Sequence, residues 1–567
     1  WYTGVLHHAM VTDYSAYRMP GDDPDVVKGR AGSPYAIKDY YNVDPDLAVN
    51  PSARMEEFEA LIRRTHRHGM KVIIDLVPNH VARMYHSVSN PPGVEDFGAS
   101  DDRTVEYRRD NNFYYIPGEP FRVPEWKDGY LPLGGEDHPL VDGYFDEDPA
   151  RWTGNGARSP QPDMHDWYET VKINFGVRPD GTKDFPGLPQ GFEDEPLETH
   201  HAFWKGRDVP DTWKKFHDIA MFWLEKGVDG FRYDMAQMVP VEFWSFLNSA
   251  IKMKRPDAIL VSEIYIPEIY RDYIRLGKMD YLYDKVQLYD TLKNIIRGEG
   301  STDHLLQIQE DLEDIEHHML HFMENHDEQR IASRAFAGDA RKGKPAMVLS
   351  AAIGTSPLML YFGQEVGEPA EGDPGFGSES RTTIFDYWGV PAHARWVNEG
   401  AFDGGQLTGQ EKKLRKFYSR LLNFTLDSRA LTGATRQIHS YNRTHTDGYS
   451  DQLFSWVRWK EDERLIIVVN FDDRRAYEFE LKLPEDLVRS WELQDGLYTL
   501  TDRLGGSADD LPEYLPDDLP EYSNTHDQPD GSASEEHPDI RKLQLLVEKG
   551  TARTRIELNP LESLILE

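Results

Sequence analysis

The stretch Val228–Met238 carries an arginine and an aspartate two residues apart at the end of an apolar run. A helix ends before it at Gly227, and the alternation that follows predicts a strand, so Arg232 and Asp234 should point to the same face. A guanidinium beside a carboxylate favours the ionised form, because the opposite charge lowers its pKa. A fixed, ionised carboxylate at a strand end is a candidate nucleophile. A structural Arg–Asp ion pair explains the same spacing.

Further polar residues follow other predicted strands. The apolar strand at 71–77 ends in Pro-Asn-His, a strand at 258–262 ends at a glutamate, and a strand at 319–323 ends in Glu-Asn-His-Asp. In a barrel, the C-terminal ends of the strands share one rim, where sites are built. The candidates at these ends and in the loop after the first visible strand are Tyr35, Asp39, Asp75, Asn79, His80, Arg232, Asp234, Glu263, His326 and Asp327.

Helices and apolar strands alternate along much of the chain, which is typical of a parallel sheet. Their number, without a nucleotide-type glycine fingerprint, predicts an α/β fold of the (β/α)8 TIM barrel type. Residues 1–80 and 212–430 form its two parts, and the irregular segment 81–211 is predicted to be an inserted subdomain after the third strand. Counting from a strand at Trp1–Val5 to one at Pro357–Phe362 gives seven strands. The first strand of the barrel is therefore expected to precede Trp1 and to be missing from this sequence.

After about residue 430 the pattern changes to strict alternation, which predicts a C-terminal antiparallel β-sandwich over 431–567. Strands are expected at 453–459, 465–471, 477–483 and 555–566. Within it, an acidic, proline-rich insertion at 505–539 contains the near-repeat D-D-L-P-E-Y-L-P and D-D-L-P-E-Y, and is predicted to be disordered.

The composition excludes several classes of function. The 567 residues include 99 acidic and 63 basic side chains, giving a net charge of −36, which argues against nucleic acid or an anionic membrane as partner. No apolar run is long enough to span a bilayer. There is no cysteine, so thiol chemistry is excluded. The acidic surface fits either a salt-loving organism or an ordinary acidic protein, and the oligomeric state stays open.

Three carboxylates on one rim, those of Asp234, Glu263 and Asp327, would repel each other. Such crowding raises the pKa of at least one of them and keeps a neutral acid available near pH 7. One acid and one nucleophile are what glycoside cleavage requires, and that chemistry needs no metal.

Four segments that carry these residues resemble a known family. D-L-V-P-N-H at 75–80, G-F-R-Y-D at 230–234, V-S-E-I-Y at 261–265 and F-M-E-N-H-D at 322–327 look like the signature segments of the α-amylase family, glycoside hydrolase family 13, in the family's order. The resemblance covers roughly residues 1–430 and a C-terminal sandwich of the family's type. It implies Asp234 as nucleophile, Glu263 as acid/base, Asp327 as a carboxylate that grips sugar hydroxyls, Arg232 as the partner of Asp234, His80 and His326 as sugar hydrogen-bonding residues, Tyr35 as a sugar-stacking ring and Asp75 as a structural aspartate.

The implied activity is hydrolysis of α-1,4-linked glucans, starch or maltodextrins, by double displacement with retention. It requires Asp234 and Glu263 to have their carboxyl groups about 5–5.5 Å apart. A glucan transferase with the same covalent intermediate is the first alternative. A catalytically inactive relative used for binding is the second, and the presence of all three carboxylates argues against it.

Two segments depart from the family pattern. Gln237 and Met238 stand where typical α-amylases have Lys-His, and V-K-I-N-F at 171–175 places Lys172 where a calcium-binding Asp often lies. A calcium site with Asn79 as a ligand is possible, but a fixed ammonium of Lys172 could replace the cation beside Asn79. No cofactor is required.

Overall fold

A computed structural model describes residues 1–127, 133, 137–370, 384–385, 389–505 and 541–567. The predicted acidic insertion, apart from its first residue, lies outside these residues. The chain divides into two compact units, of which the first comprises 1–286, 318–320 and 370–389 and the second comprises 287–317, 321–369 and 390–567. None of the described helices combines the length and the apolar character needed to cross a membrane.

The first unit contains the elements that carry most of the candidate residues. Its strands are β1 (Leu6–His8), β2 (Ile37–Val43), β3 (Ile73–Leu76), β4 (His80–Ala82), β5 (Tyr115–Ile116), β6 (Ala150–Arg151), β7 (Thr170–Lys172), β8 (Gly230–Tyr233), β9 (Ile259–Ser262), β10 (Tyr281–Tyr283) and β11 (Met319–Leu320). Its helices are α1 (Arg54–Arg67), α2 (Leu197–Trp204), α3 (Asp211–Glu225), α4 (Val241–Lys254) and α5 (Tyr270–Arg275).

Five of these strands form one parallel sheet in the order β3-β8-β9-β10-β11. Gly230 allows β8 and β9 to pair closely, because its φ is +155° and a Cβ there would lie 1.9 Å from the Ile259 carbonyl oxygen. The strand predicted at Trp1–Val5 is displaced: only Tyr2 makes a parallel bridge, to Ile74, and β1 pairs antiparallel with β2. The parallel sheet and the helices after its strands agree with the predicted βα alternation.

Helices α3 and α4 bury their apolar faces, as the 3.6-residue spacing of their large side chains predicts. Trp213, Phe216 and Trp223 of α3 are fully buried, and the Trp223 indole donates a hydrogen bond to the Tyr40 carbonyl over 2.8 Å. Trp244 of α4 is buried against Tyr233 of β8, with ring centroids 4.4 Å apart. The contact of Trp244 with Tyr233 packs α4 against β8, the strand that carries Arg232.

The segment 81–211 is irregular, as predicted. It contains the short antiparallel pairs β4–β7 and β5–β6, several isolated bridges and α2. Aromatic pairs fill it, among them Tyr114 and Trp152, whose rings stack at 4.4 Å. The predicted domain boundaries at 80, 211 and 430 stay predictions.

The second unit holds two four-stranded antiparallel sheets whose side chains share one apolar core. Its strands are β12 (Ala434–Gln437), β13 (Leu453–Lys460), β14 (Glu463–Asn470), β15 (Tyr477–Leu483), β16 (Gly496–Thr501), β17 (Lys542–Glu548), β18 (Thr551–Leu558) and β19 (Ser563–Leu566). Its helices are α6 (Asp290–Ile296), α7 (Leu305–Asp311), α8 (Lys344–Ala352), α9 (Pro391–Val397), α10 (Gly409–Asp427), α11 (His439–His445) and α12 (Glu485–Ser490).

Two strand predictions in this unit are wrong in extent. The strand predicted at 555–566 is two strands, β18 and β19, because Pro560 lacks an N–H and Leu561 has a φ of 59°. The strand predicted at 357–362 is reduced to one parallel bridge, between Leu358 and His321.

Candidate active site

The ends of β3, β8 and β9 place three acidic residues along one edge of the parallel sheet. Their register aligns Leu76 with Tyr233 and Tyr233 with Ser262, so the residues that follow β8 and β9 leave the sheet side by side. The Asp234 amide donates to the Leu76 carbonyl and the Glu263 amide donates to the Tyr233 carbonyl, both over 3.1 Å. The backbone pairing therefore continues up to the two residues predicted to be nucleophile and acid.

Arg232 joins these acidic groups. Its Nη1 lies 2.9 Å from Asp234 Oδ1 and 3.7 Å from Asp75 Oδ1, and its Nη2 lies 2.9 Å from Glu263 Oε2. The side chain of Arg232 is fully buried, and its Nε donates to the Tyr283 hydroxyl over 3.1 Å. Burial alone would lower the pKa of Arg232, but the surrounding Tyr283, Glu263 and other acidic groups outweigh it and hold that pKa well above its usual range. The guanidinium is therefore a permanent cation between the two predicted catalytic carboxylates.

Asp75 is fixed from the opposite side by aromatic residues. It accepts hydrogen bonds from the Trp1 indole at 3.0 Å and from the Tyr35 hydroxyl at 3.3 Å. The Tyr35 ring lies 5.6 Å from the Arg232 guanidinium and is 8% exposed. These contacts fit the structural role expected of Asp75, and the stacking of Tyr35 on a sugar stays a prediction.

Asp39 has a backbone role in this structure. Its carboxylate accepts the amides of Tyr41 at 2.9 Å and Val88 at 3.0 Å, so it holds a loop in place.

Glu263 is held by two residues that the sequence analysis did not place in the site. The Met235 amide donates to its Oε2 over 2.8 Å and the Tyr265 hydroxyl donates to its Oε1 over 2.6 Å. Met235 has a left-handed backbone, with φ 44° and ψ 41°, which a non-glycine residue adopts at a free-energy penalty of about 1–2 kcal/mol. Tyr265 is fixed in turn, because its amide donates to Gln237 Oε1 over 2.7 Å. Gln237 belongs to one of the two segments that depart from the family pattern, and this departure is the sequence feature that could have drawn attention to Tyr265.

His80 is buried at the end of the loop after β3. Its ring centroid lies 5.2 Å from that of Trp167 in the inserted segment. Burial, followed by the charges of Lys172 and Lys28, lowers the pKa of His80 to about 3. The imidazole is therefore neutral near pH 7, with its Nδ1 3.1 Å from the Asn79 amide nitrogen and its ring N–H donating to the Tyr35 backbone carbonyl.

The position suggested for calcium is taken by Lys172. The register of β4 and β7 sets Lys172 opposite His80, and its Nζ donates to Asn79 Oδ1 and to the Met238 carbonyl, the latter over 3.4 Å. Calcium takes about six to eight oxygen ligands, whereas the Asn79 amide oxygen already accepts from the Lys172 ammonium, so the residues present do not fit calcium there. Burial lowers the pKa of Lys172 to about 7. Across the described ranges, no group of three or more His, Asp or Glu residues is arranged to hold a metal ion.

His326 and Asp327 belong to the second unit. Asn325 Oδ1 accepts the amides of Asp327 and Glu328, both over 2.8 Å, which fixes the turn that carries them. His326 Nε2 lies 3.0 Å from Asp327 Oδ2; the His326 side chain is buried and that of Asp327 is 35% exposed. Their part in substrate binding stays a prediction.

Comparison with known proteins identifies the family of the chain. The alpha-amylase catalytic domain, as a family, matches residues 17–126 and 203–476, more than half of the chain. Alpha-amylase 3 of Dictyoglomus thermophilum is 23% identical over 485 residues, 77% of this chain and 74% of that protein. The α-1,4-glucan:maltose-1-phosphate maltosyltransferase of Cereibacter sphaeroides is 25% identical over 331 residues, 56% of this chain and 43% of that protein.

A solved structure shows the same fold. The alpha-amylase from H. orenii superposes with a TM-score of 0.55 at 18% identity, covering 96% of this chain and 88% of that one. The chain thus belongs to the α-amylase family of glycoside hydrolases, and its fold is a TIM barrel with a C-terminal β domain.

Proposed function

We propose that this enzyme hydrolyses α-1,4-glucosidic bonds of starch or maltodextrins with retention of configuration, through a covalent glucosyl-enzyme intermediate. The observation that carries the proposal is the fully buried Arg232, whose guanidinium pairs with both Asp234 and Glu263 at adjacent strand ends. One cation shared by two carboxylates keeps them close together. Close carboxylates are the arrangement of retaining enzymes, in which no water lies between nucleophile and acid.

In the first step Glu263 transfers its proton to the glycosidic oxygen while an oxygen of Asp234 bonds to the anomeric carbon. The electron pair of the breaking carbon–oxygen bond stays with the departing sugar. In the second step Glu263 takes a proton from water, whose oxygen displaces Asp234 from the anomeric carbon. Arg232 favours Asp234 as the ionised nucleophile, because it places a positive charge 2.9 Å from Oδ1.

The neighbouring residues are assigned to substrate binding. His80 is assigned to sugar binding on the basis of the segment D-L-V-P-N-H that resembles the family's, and Tyr35, whose hydroxyl donates to Asp75, is assigned to stacking on the sugar. We assign Asp327 and His326 to the binding of sugar hydroxyls, on the basis of the segment F-M-E-N-H-D that resembles the family's. An α-glucan-hydrolysing activity is supported by the relative that is named an alpha-amylase.

A glucan transferase is the second candidate function. A specific observation favours it: the related maltosyltransferase has a name that describes transfer of maltosyl units. Both reactions use the same intermediate, and they differ in whether water or a sugar hydroxyl attacks in the second step.

Product analysis on maltoheptaose separates these functions. Hydrolysis should give shorter sugars alone, with the new reducing ends appearing first as the α anomer by proton NMR. Sugars longer than the starting heptamer would favour the transferase, and β anomers formed first would overturn retention.

Replacing the predicted acid gives a direct test of the assignment. Glu263→Gln should lower turnover of maltoheptaose by at least about 10²-fold, because general acid catalysis contributes about 10²–10⁴-fold. Glu225→Gln, at the exposed end of α3, is the matched control and should keep normal rates. Near-normal rates in Glu263→Gln, with an unchanged circular dichroism spectrum, would show that another residue is the acid.

A further inference from the structure

The two carboxylate oxygens of Glu263 have different surroundings. Oε2 faces the Arg232 Nη2 at 2.9 Å and accepts the Met235 amide at 2.8 Å. Oε1 accepts the Tyr265 hydroxyl at 2.6 Å. A proton is unfavourable on an oxygen that already faces a cation and an amide donor, so the acidic proton of Glu263 belongs on Oε1.

We propose that Tyr265 is a positioning residue whose hydroxyl controls proton delivery from Glu263 Oε1 to the glycosidic oxygen. The inference rests on the proposed function. It gives a role to Tyr265, the last residue of the segment V-S-E-I-Y, to which the family resemblance assigned none. As the Oε1–H bond breaks and the proton joins the departing oxygen, negative charge develops on Oε1. The Tyr265 hydroxyl, which keeps its own proton, donates to Oε1 and stabilises that charge. When Oε1 takes a proton from water in the second step, the hydroxyl rotates and no longer donates.

The backbone is built to hold Tyr265 in this position. Two hydrogen bonds run in opposite directions between the loops after β8 and β9: Met235 donates to Glu263, and Tyr265 donates to Gln237. The left-handed backbone of Met235 lies in the first of these loops. Gln237 therefore acts on the acid indirectly, by fixing the backbone from which the Tyr265 hydroxyl reaches Oε1.

The test is the pH profile of Tyr265→Phe, which removes the hydroxyl and keeps the ring. On maltoheptaose kcat should fall about 10-fold with little change in KM, since a hydrogen bond to a charged group contributes on the order of that factor. The alkaline limb of kcat/KM should move upward by about one pH unit, because the ionised acid has lost a donor. On 4-nitrophenyl α-maltoside, whose leaving group needs little protonation, the loss should be below about 3-fold.

A second variant and a control distinguish a change in the pH profile from a loss of folding. Gln237→Met removes the acceptor for the Tyr265 amide at similar volume, and should move the alkaline limb in the same direction by a smaller amount. Tyr281→Phe, at the first residue of β10 and opposite Val261, should leave the limb unchanged.

An unmoved limb in Tyr265→Phe, or a change confined to KM, would overturn the inference while leaving the proposed function standing. Failure of the proposed function has a different signature, because Glu263→Gln would then remain active. Equal losses of kcat on maltoheptaose and on the nitrophenyl substrate in Tyr265→Phe would also overturn the inference about Tyr265, since a purely structural role affects both substrates alike.

Discussion

Arg232 is the side chain on which the acidic site depends. It is enclosed without solvent contact and lies within 3.7 Å of three carboxylates, those of Asp75, Asp234 and Glu263. In such a low-dielectric setting each carboxylate is tolerated because the guanidinium compensates it. The same residue contacts both predicted catalytic groups, so we expect its loss to affect stability and activity together.

Removing this cation should be strongly destabilising. Arg232→Met leaves buried carboxylates without their partner, and the free energy of unfolding should fall by about 3–5 kcal/mol in urea titrations. Arg429→Met is the matched control: Arg429 is 56% exposed and pairs with Glu461 and Asp462, so its loss should change stability by less than about 1 kcal/mol. An Arg232→Met enzyme within about 1 kcal/mol of the wild type would contradict this account.

Replacing Arg232 by lysine separates charge from geometry. An ammonium keeps the positive charge but cannot place one nitrogen 2.9 Å from Asp234 Oδ1 and a second 2.9 Å from Glu263 Oε2. Arg232→Lys should therefore regain part of the stability lost in Arg232→Met and little of the activity, measured as kcat on maltoheptaose. Full recovery of both would show that the planar guanidinium is unnecessary.

At the residue scale, the sequence predicts contacts between side chains where the two-residue period of a strand determines the face to which they point. The two-residue spacing of Arg232 and Asp234, and the position of Glu263 after the neighbouring strand, correctly predicted the cluster in the first unit. Tyr265 could not be found in this way, because its contact with Glu263 depends on a left-handed turn at Met235 that no periodic pattern reveals.

Lys172 connects three elements of the first unit. It lies on β7 of the inserted segment and donates to the loop after β3, at Asn79, and to the turn after β8, at Met238. Among the residues that the structure describes, none places a carboxylate beside its ammonium, and burial lowers its pKa to about 7 against 10.5 for an ordinary lysine. The connection is therefore sensitive to pH in a range where most lysines are not.

This difference predicts a pH trend in stability. Between about pH 7 and 10.5 the unfolded chain holds a proton on Lys172 that the folded protein does not, so this group's contribution to stability rises with pH. The free energy of unfolding of the wild type relative to Lys172→Met should accordingly increase from pH 6 to pH 9.5. Lys71→Met, which removes an exposed ammonium paired with Asp257, is the control and should show no such increase. A constant difference for Lys172→Met would contradict the burial argument.

Element prediction succeeded where one period persisted over several residues. The alternation at 453–459, 465–471 and 477–483 predicted β13, β14 and β15 within one or two residues. It failed where a backbone feature interrupts the pattern, as at Pro560, or where the strand contracts to one bridge, as at Leu358. The strands β16 and β17 were missed because they flank the acidic insertion, whose composition masks their alternation.

At the scale of the whole molecule the dominant feature is the excess of acidic residues. A net charge of −36 over 567 residues destabilises a compact state through self-repulsion. Salt weakens this repulsion, because the Debye length falls from about 10 Å at 0.1 M to about 3 Å at 1 M.

Stability should therefore rise with moderate salt. The free energy of unfolding in urea is expected to increase between 0.05 and 1 M NaCl and then to level off, since screening is nearly complete at that point. A decrease over this range would contradict the charge argument. A rise that continues linearly to several molar would instead indicate exclusion of salt from the protein surface.

The most direct measurement of the central claim is to trap the covalent intermediate. A 5-fluoro-α-glucosyl fluoride carries a leaving group that needs no acid, so Glu263→Gln should form the glucosyl-enzyme and hydrolyse it slowly without its base. Mass spectrometry of the digested protein should place the fluoroglucosyl group on Asp234. A label on any other residue, or an unlabelled protein that still turns over the fluoride, would contradict the assignment of Asp234 as nucleophile and Glu263 as its acid/base.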